Sequence, residues 1–437
     1  MRPLRLCPAA LVLVAIFGSA APAAAQLRAC STIQQNLFVR DTMSDIYLWY
    51  REIPRVDPAD FKSPDAYLQA IRFRPIDDTF SYITDRAAND ALFSNSEYVG
   101  FGFSSTWQGD DLRITQVFPG SAAEDAGLLR GDHIVEINGR TVAQLLETGE
   151  IANAFGPAEA GVIADIVFVR GDARFRGHMV KRTAVIPTVS NTRVIEQDGR
   201  RIGYVFFRNF VEPSVAALDE AFAELRRQRV TELILDLRYN GGGLVNVAQH
   251  LGGLIGGTLT SGQVFAEYAH NDRNTFRNRT LRFESSNNAL ALTRVFAITT
   301  RASASASELV INALRPFLPV VVIGDRTYGK PVGQYAIPFC DKVLAPVSFA
   351  LRNANGEGDY FDGLQTTCPA IDDLDHQIAD ASEASIREAL TFIATGACTR
   401  VSSQRPERQA GDDIERDRVT QDPVKRRTGW PAVVGAD

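Results

Sequence analysis

The stretch that decides the fold is Leu235-Asp236-Leu237-Arg238-Tyr239-Asn240-Gly241-Gly242-Gly243, an apolar strand that runs into three glycines. Such a turn can expose backbone N–H groups, because glycine adopts conformations that a Cβ would forbid. Around it, strand-like and helix-like segments alternate. We predict strands over 201–207, 232–237, 295–299 and 320–323, and helices over 214–227, 245–255 and 307–314. This alternation predicts an α/β domain with helices packed against a sheet.

The N-terminal part of the chain has a different pattern. Over residues 26–91 apolar side chains recur at roughly helical spacing, as in Ile33, Leu37, Val39, Met43, Ile46, Tyr47 and Trp49. Ser63-Pro64-Asp65 is typical of a helix start. We therefore predict a mainly helical region here.

Short strands replace this pattern near residue 97. Tyr98-Val99-Gly100-Phe101-Gly102-Phe103 precedes Pro119-Gly120-Ser121-Ala122-Ala123 and Gly131-Asp132-His133-Ile134-Val135. In this order the segments resemble a PDZ domain covering about 92–187. The resemblance implies that a peptide adds as a strand to an open sheet edge. It also implies that the loop binds the peptide's C-terminal carboxylate, through Val99, Gly100, Phe101, Gly102 and Phe103.

A candidate nucleophile lies in Ala302-Ser303-Ala304-Ser305-Ala306-Ser307-Glu308, where a strand ends and a helix begins. Free N–H groups and the positive helix end stabilise a developing oxyanion at such a position. A second interpretation is structural, since Ser305 and Glu308 have the spacing of a capping box. The segment alone leaves both open.

A further segment, Thr327-Tyr328-Gly329-Lys330, follows an apolar strand. With the glycine turn and the serine segment, it resembles the carboxyl-terminal processing (tail-specific) proteases over about residues 90–398. The resemblance implies a ClpP/crotonase-like catalytic domain and a serine endopeptidase that recognises proteins by apolar C-terminal tails. It implies the following roles: Ser305 as nucleophile, Lys330 as base, Gln334 positioning the base, and the N–H groups of Gly242 and Ala306 as the oxyanion hole. It implies no metal and no cofactor. The chain departs from the family at residues 77–82, where a histidine is usual.

The proposed base must satisfy a physical condition. A lysine with a pKa of about 10.4 stays protonated at neutral pH, so burial must lower that pKa by roughly three pH units, at a cost of about 4 kcal/mol. Gly329, Pro331 and Val332, which flank Lys330, carry no carboxylate to oppose this shift.

Three other interpretations compete. Residues 324–330 fit the opening of a phosphate-binding loop, but Pro331 follows in place of Ser or Thr. A Ser-His-Asp hydrolase would use one of five histidines, yet no G-x-S-x-G elbow is present. The third is a catalytically inactive PDZ-containing scaffold that binds peptides. It would bind tails through residues 99–103 and show no reactive serine.

Composition bounds the remaining functions. The chain has 437 residues, a formal net charge of −6, 45% hydrophobic and 22% charged residues, which predicts a multidomain globular protein and no nucleic-acid partner. The sequence leaves an activating partner or a homo-oligomer open. The predicted organisation is signal peptide 1–25, helical region 26–91, PDZ domain 92–187, catalytic domain 188–398 and disordered tail 399–437.

The first residues predict export to the periplasm or the extracellular space. A positive start, a short apolar run and Ala23-Ala24-Ala25 are typical of a cleaved signal peptide, and no later stretch is long enough for a membrane span. Lipidation at Cys30 is a second interpretation. Four cysteines remain after cleavage and allow three disulfide connectivities. We predict Cys340–Cys368 and Cys30–Cys398.

Overall fold

The computed structural model describes residues 30–400. The predicted signal peptide and nearly all of the predicted tail lie outside that range. Within it, every helix is too short or too polar to cross a membrane.

The N-terminal region is mainly helical, as predicted. Its elements are α1 (Thr32–Ile46), α2 (Pro64–Ile71), β1 (Tyr82–Asp85) and α3 (Arg86–Asn95). The predicted helix start is confirmed, because the Ser63 side chain caps α2 by accepting a hydrogen bond from Ala66 N at 3.1 Å. Strand β1 was not predicted.

The region predicted to be a PDZ domain is built on a sheet with strand order β3-β4-β5-β7-β8, and β3 lies at its edge. Two further strands, β2 and β9, form a small antiparallel sheet beside it. The elements are β2 (Glu97–Gly100), β3 (Phe103–Gln108), β4 (Asp111–Val117), α4 (Ala122–Asp125), β5 (His133–Ile137), β6 (Arg140–Thr141), α5 (Val142–Glu147), β7 (Ile163–Arg170), β8 (Ala173–Val180) and β9 (Arg182–Val185).

The α/β prediction is confirmed by a sheet with strand order β10-β11-β12-β15-β16-β21, which is parallel from β11 onward. Its strands are β10 (Val189–Gln197), β11 (Arg200–Phe207), β12 (Glu232–Asp236), β15 (Val295–Thr299), β16 (Val320–Gly324) and β21 (Cys368–Pro369). Its helices are α6 (Ser214–Arg227), α7 (Val245–Gly256), α8 (Ala306–Leu314) and α9 (Ala384–Thr395).

The two faces of this sheet are covered by different helices. Along β11 successive side chains alternate in direction, as in any strand. Val205 and Phe207 join the core formed with α6, α7 and α8, whereas Tyr204 and Phe206 pack on the side covered by α9. The sheet is therefore buried on both sides, which explains its almost continuous apolar strands.

Two smaller sheets attach the N-terminal region to the α/β core. One has strand order β14-β13-β20-β17 and the other β1-β19-β18, so that β1 pairs antiparallel with β19. The core between them joins apolar side chains of α1 and α2 to Val332, Leu344 and Val347. The strands are β13 (Val264–His270), β14 (Arg279–Arg282), β17 (Val332–Gln334), β18 (Ile337–Phe339), β19 (Lys342–Ala345) and β20 (Val347–Arg352).

The predicted disulfide pairing is wrong. The structure joins Cys30 to Cys340 and Cys368 to Cys398. Cys340 lies between β18 and β19, next to Phe339, whose ring stacks on Phe38 of α1 at 4.8 Å between centroids. The N-terminal helix thus lies against this hairpin, away from the end of α9. Spacing along the chain could not reveal this packing.

Peptide mapping under non-reducing conditions tests this connectivity. We expect the Cys30 and Cys340 peptides to co-migrate as one species and the Cys368 and Cys398 peptides as another, both separating after reduction. The Cys368–Cys398 bond closes a loop with a sequence separation of 30, and its loss should destabilise the fold by about 3 kcal/mol. A Cys340–Cys368 peptide would contradict the structure.

Candidate active site

Ser305 lies where the chain turns from β15 into α8. It is the residue before the helix and has φ 55° and ψ −111°, a strained backbone conformation for any residue other than glycine. The turn is fixed because Ser303 Oγ donates to Leu237 O at 2.7 Å and Ala304 N donates to Asn240 O at 3.0 Å. A sharp strand-to-helix turn of this kind projects the side chain out of the sheet, as a nucleophile requires.

The carboxylate of Glu308 joins the Ser305 turn to the Lys330 loop. It is fully buried and accepts four hydrogen bonds. One oxygen accepts from the N–H groups of Ser305 and Lys330, both at 2.8 Å. The other accepts from Gly329 N at 2.7 Å and Thr327 Oγ1 at 2.5 Å. Glu308 thus binds the Ser305 N–H as the capping interpretation predicts, and the same contacts fix the position of the candidate base.

Lys330 meets the condition that the sequence sets for a base. Its side chain is buried, and this burial lowers the pKa of the ammonium group to about 8, although the carboxylates of Asp77 and Glu308 oppose the shift. The residues that flank Lys330 carry no carboxylate, as noted from the sequence, but the fold brings two from elsewhere. Its Nζ also lies 5.8 Å from the centre of the Phe80 ring. A substantial fraction of the amine is therefore neutral near pH 8.

Gln334 holds the candidate base in place. Its side-chain nitrogen donates to the carbonyl oxygens of Phe80 and, at 3.0 Å, of Ala345. Its oxygen is consequently directed at Lys330 and accepts a hydrogen bond from Nζ at 2.6 Å. Gln334 occupies one position on Nζ. In the neutral amine, another position can therefore accept a proton from a neighbouring group.

The glycine turn lies directly against Ser305. A Cβ on Gly242, whose φ is 100°, would lie 2.8 Å from Ser305 Cβ, Ala306 N and Ala304 O, so only glycine fits. However, Gly242 N already donates to Asn240 Oδ1 at 2.9 Å. The predicted oxyanion-hole role of Gly242 therefore requires this hydrogen bond to break.

Buried ion pairs fix the start of the glycine turn. The Arg238 guanidinium is fully buried and pairs with Asp236 at 2.9 Å, Glu383 at 2.9 Å and Asp372 at 3.0 Å. The charge is compensated several-fold, which makes burial of an arginine tolerable. Because Asp372 and Glu383 lie in the C-terminal part of the domain, these ion pairs connect the start of the glycine turn to a distant segment of the chain.

The segment 77–82 contributes to the site in a way the sequence did not reveal. Besides the Phe80 contacts with Lys330 and Gln334, Thr79 Oγ1 lies 2.7 Å from the Tyr328 hydroxyl. Asp77 is fully buried and accepts from Tyr47 OH at 2.8 Å and from Ser81 Oγ at 2.5 Å. The contacts of Thr79 and Phe80 join residues about 250 positions apart, so no local pattern could have indicated them.

The predicted peptide-binding residues run from the end of β2, through a short turn, into β3 at the edge of the PDZ-like sheet. Val99 and Gly100 belong to β2, which pairs with β9, and the side chains of Phe101 and Phe103 are buried in the core. Gly102 has φ 88°, and a Cβ there would lie 1.9 Å from Ser121 Cβ. This segment therefore offers backbone groups, and not these aromatic rings, to a ligand.

The alternative chemistries fit the geometry poorly. In a phosphate-binding loop the N–H groups would face the ligand, but those of Gly329 and Lys330 face Glu308. The histidines bind other partners, namely Asp111, Asp165, Asp219, Asn278, Tyr335 and Asp373. In the described part of the chain, one cluster has metal-ligand composition, Cys368, Glu388 and Cys398, and its thiols are joined in a disulfide.

Comparisons with known proteins agree with this arrangement. Residues 34–82 match the peptidase S41 N-terminal domain, residues 113–162 a PDZ domain and residues 201–361 peptidase family S41. The chloroplastic C-terminal processing peptidase of Tetradesmus obliquus is 26% identical over 61% of this chain and 59% of its own length. The carboxy-terminal processing protease CtpB of Bacillus subtilis (strain 168) is 27% identical over 61% of this chain and 54% of its own. The alignments thus span little more than half of these relatives.

A solved structure extends the comparison to the fold. The crystal structure of a Bacteroides fragilis NCTC 9343 protein assigned to the S41 proteases superposes with a TM-score of 0.68 at 26% identity, covering 82% of this chain and 97% of that one. Three consecutive matches in this order, together with this superposition, show that residues 201–361 match peptidase family S41 and that the chain has a fold similar to that of an S41 protease structure.

Proposed function

We propose that this protein is an exported serine endopeptidase that cleaves proteins recognised by their C-terminal tails, with Ser305 as nucleophile and Lys330 as base. The observation that carries the proposal is the buried Lys330 amine, whose pKa is lowered to about 8 and whose loop is tied to the Ser305 turn through Glu308. Structural lysines are seldom buried with a depressed pKa, whereas a general base needs one near the working pH.

The proposed reaction has two stages. Ser305 Oγ attacks the scissile carbonyl carbon while its proton moves to Lys330 Nζ. The N–H groups of Ala306 and Gly242 stabilise the oxyanion, once Gly242 has exchanged Asn240 for the substrate oxygen. The intermediate collapses as Lys330 gives the proton to the leaving amine, which leaves an acyl-enzyme. Lys330 then takes a proton from water as that water attacks the ester carbonyl carbon. When the bond to Ser305 Oγ breaks, Lys330 returns the proton to Oγ, which releases the product carboxylate and restores both residues.

Substrate selection would rest on the PDZ domain. Strand β3 lies at the edge of its sheet and can pair with an extended peptide. Residues 99–103 would bind the end of that peptide. The relatives are named C-terminal processing proteases, which supports tails as the recognised element. We extend this to apolar tails, and to a periplasmic or extracellular site of action, where the two disulfides are stable.

An inactive peptide-binding scaffold is the alternative. One contact favours it, namely the hydrogen bond from Gly242 N to Asn240 Oδ1, which withholds an oxyanion donor. The same contact is also expected of an enzyme that an activating partner or a homo-oligomer switches on.

The Ser305→Ala variant separates these functions. We expect turnover of an unfolded protein with an apolar C-terminal tail to fall by at least about a thousandfold, while unfolding free energy changes by at most about 2 kcal/mol. The matched control is Ser303→Ala, which loses the hydrogen bond to Leu237 O and about 1 kcal/mol of stability but retains the nucleophile. If the unmodified protein and both variants bind the peptide but are all inactive, the result would favour the scaffold or an enzyme that requires activation.

The pH dependence of kcat/KM tests the base. A protonated Lys330 cannot accept the serine proton, so we expect the rate to fall as the pH drops below about 8. Gln334→Glu places a negative charge beside Nζ, which favours the ammonium form and should move the profile alkaline by about one pH unit or more.

Gln334→Met is the control, since it removes the hydrogen bond without adding charge. Gln334→Met should lower kcat/KM, but it should not move the pH profile to higher pH. Lys330→Arg should be nearly inactive at every pH, because a guanidinium does not act as a base. A profile that is flat between pH 6 and 9, about the range spanned by the expected titration, would rule Lys330 out.

A further inference from the structure

Several buried polar atoms without a partner collect where the PDZ domain meets the α/β core. Among residues 30–400, Arg208 Nε, the Tyr98 hydroxyl, Gln116 Oε1 and Asn209 Oδ1 are enclosed and form no hydrogen bond. Buried polar groups are normally satisfied, and a group of exceptions in one place indicates a missing ligand or ordered water.

Arg208 is the charged member of this cluster. It follows β11 directly and is 6% exposed. Its Nη1 donates to Tyr239 O, and its Nη2 makes a long hydrogen bond of 3.4 Å to Ser104 Oγ on the edge strand β3. Within the described chain no carboxylate lies within salt-bridge distance, and burial lowers the pKa of the guanidinium to about 10. A buried cation with neutral partners only is costly unless an anion joins it.

The Tyr98 hydroxyl lies near this cation and near residues 99–103, the predicted carboxylate-binding segment. Burial raises the pKa of Tyr98, and the nearby N–H groups of Gly102 and Phe103 and the Arg208 guanidinium oppose that rise. All three groups would stabilise a negative charge at the phenol oxygen. The neutral hydroxyl satisfies none of them with a hydrogen bond of normal geometry.

We propose that Arg208 binds the α-carboxylate of the substrate's C-terminus, which displaces the Tyr98 hydroxyl from the N–H groups of Gly102 and Phe103. The carboxylate would accept from Arg208 Nε with one oxygen and from Nη2 with the other, and one of these oxygens would also accept from the two N–H groups. Arginine presents parallel donors that match a carboxylate. The inference rests on the proposed recognition of C-terminal tails and assigns a cation from the α/β domain to the PDZ groove.

The test compares two fluorescent peptides that share an apolar tail and differ only in ending with a free carboxylate or an amide. Binding is measured by fluorescence anisotropy to the full-length mature protein carrying Ser305→Ala, which prevents turnover. We expect the carboxylate form to bind at least about tenfold more tightly, since charge-assisted hydrogen bonds supply this preference. Adding Arg208→Gln should reduce the ratio to about one while leaving the affinity for the amide largely unchanged.

Two further variants keep the test decisive. Arg174→Gln removes an exposed cation from the PDZ domain, where Arg174 pairs with Glu136, and should leave the ratio unchanged. Arg208→Lys retains the charge without the parallel donors and should give an intermediate ratio, which matters if Arg208→Gln fails to fold. Tyr98→Phe removes the competing hydroxyl and should tighten binding of the carboxylate form.

An undiminished ratio in Arg208→Gln or Arg208→Lys would overturn the inference, as would a ratio of about one in the unmodified groove. The latter result is expected if ordered water alone satisfies Arg208 Nε. Turnover of a tail-bearing protein by the active enzyme is measured separately. Turnover without a carboxylate preference removes only the role of Arg208, whereas loss of turnover removes the proposed function.

Discussion

The active-site geometry depends on one buried carboxylate. Glu308 lies in the first turn of α8 with no exposure to solvent, and a charge there must be satisfied by hydrogen bonds. Its donors come from Ser305 on one side and from Thr327, Gly329 and Lys330 on the other. Leaving one such donor or acceptor unpaired would cost roughly 1–3 kcal/mol. The proposed nucleophile and the proposed base lie on separate segments of the chain, and Glu308 therefore fixes the position of one segment relative to the other.

The same carboxylate opposes the lowering of the Lys330 pKa. A negative charge near Lys330 favours the ammonium form, and the buried Asp77 adds to this effect. Burial of the amine outweighs both, since the pKa still falls to about 8. The charge of Glu308 is partly neutralised by its own backbone donors, and that of Asp77 by Tyr47 and Ser81. Because main-chain N–H groups stabilise its charge, the carboxylate can fix the position of the Lys330 loop without keeping Lys330 protonated.

The sequence predicted what depends on local patterns. The helix over 214–227 has the predicted bounds, and Ser305 lies between strand and helix as expected, because apolar periodicity and turn residues act over a few positions. The disulfide pairs and the contact of Phe80 with Lys330 were not predictable in this way. The Cys30–Cys340 bond depends on how the N-terminal helices pack on the hairpin of β18 and β19, and the Phe80 contact likewise joins segments hundreds of residues apart. The bond between Gly242 and Asn240 is local, but many turns could have formed from those glycines.

Tyr239 accepts hydrogen bonds from two arginines, Arg130 and Arg208, and so connects the PDZ domain to the glycine turn. Arg130, in the PDZ domain, donates to its hydroxyl at 2.5 Å, and that hydroxyl donates to Asp372 at 2.7 Å. Arg208 holds its carbonyl oxygen and also contacts Ser104 on the peptide-binding edge. The next residue is Asn240, whose side chain withholds the Gly242 N–H. A peptide that draws Arg208 toward the groove would therefore disturb the peptide unit that leads into the oxyanion hole. In the proposed function, peptide binding and catalysis would be linked through this peptide unit, so that a change in the free energy of one would alter the free energy of the other.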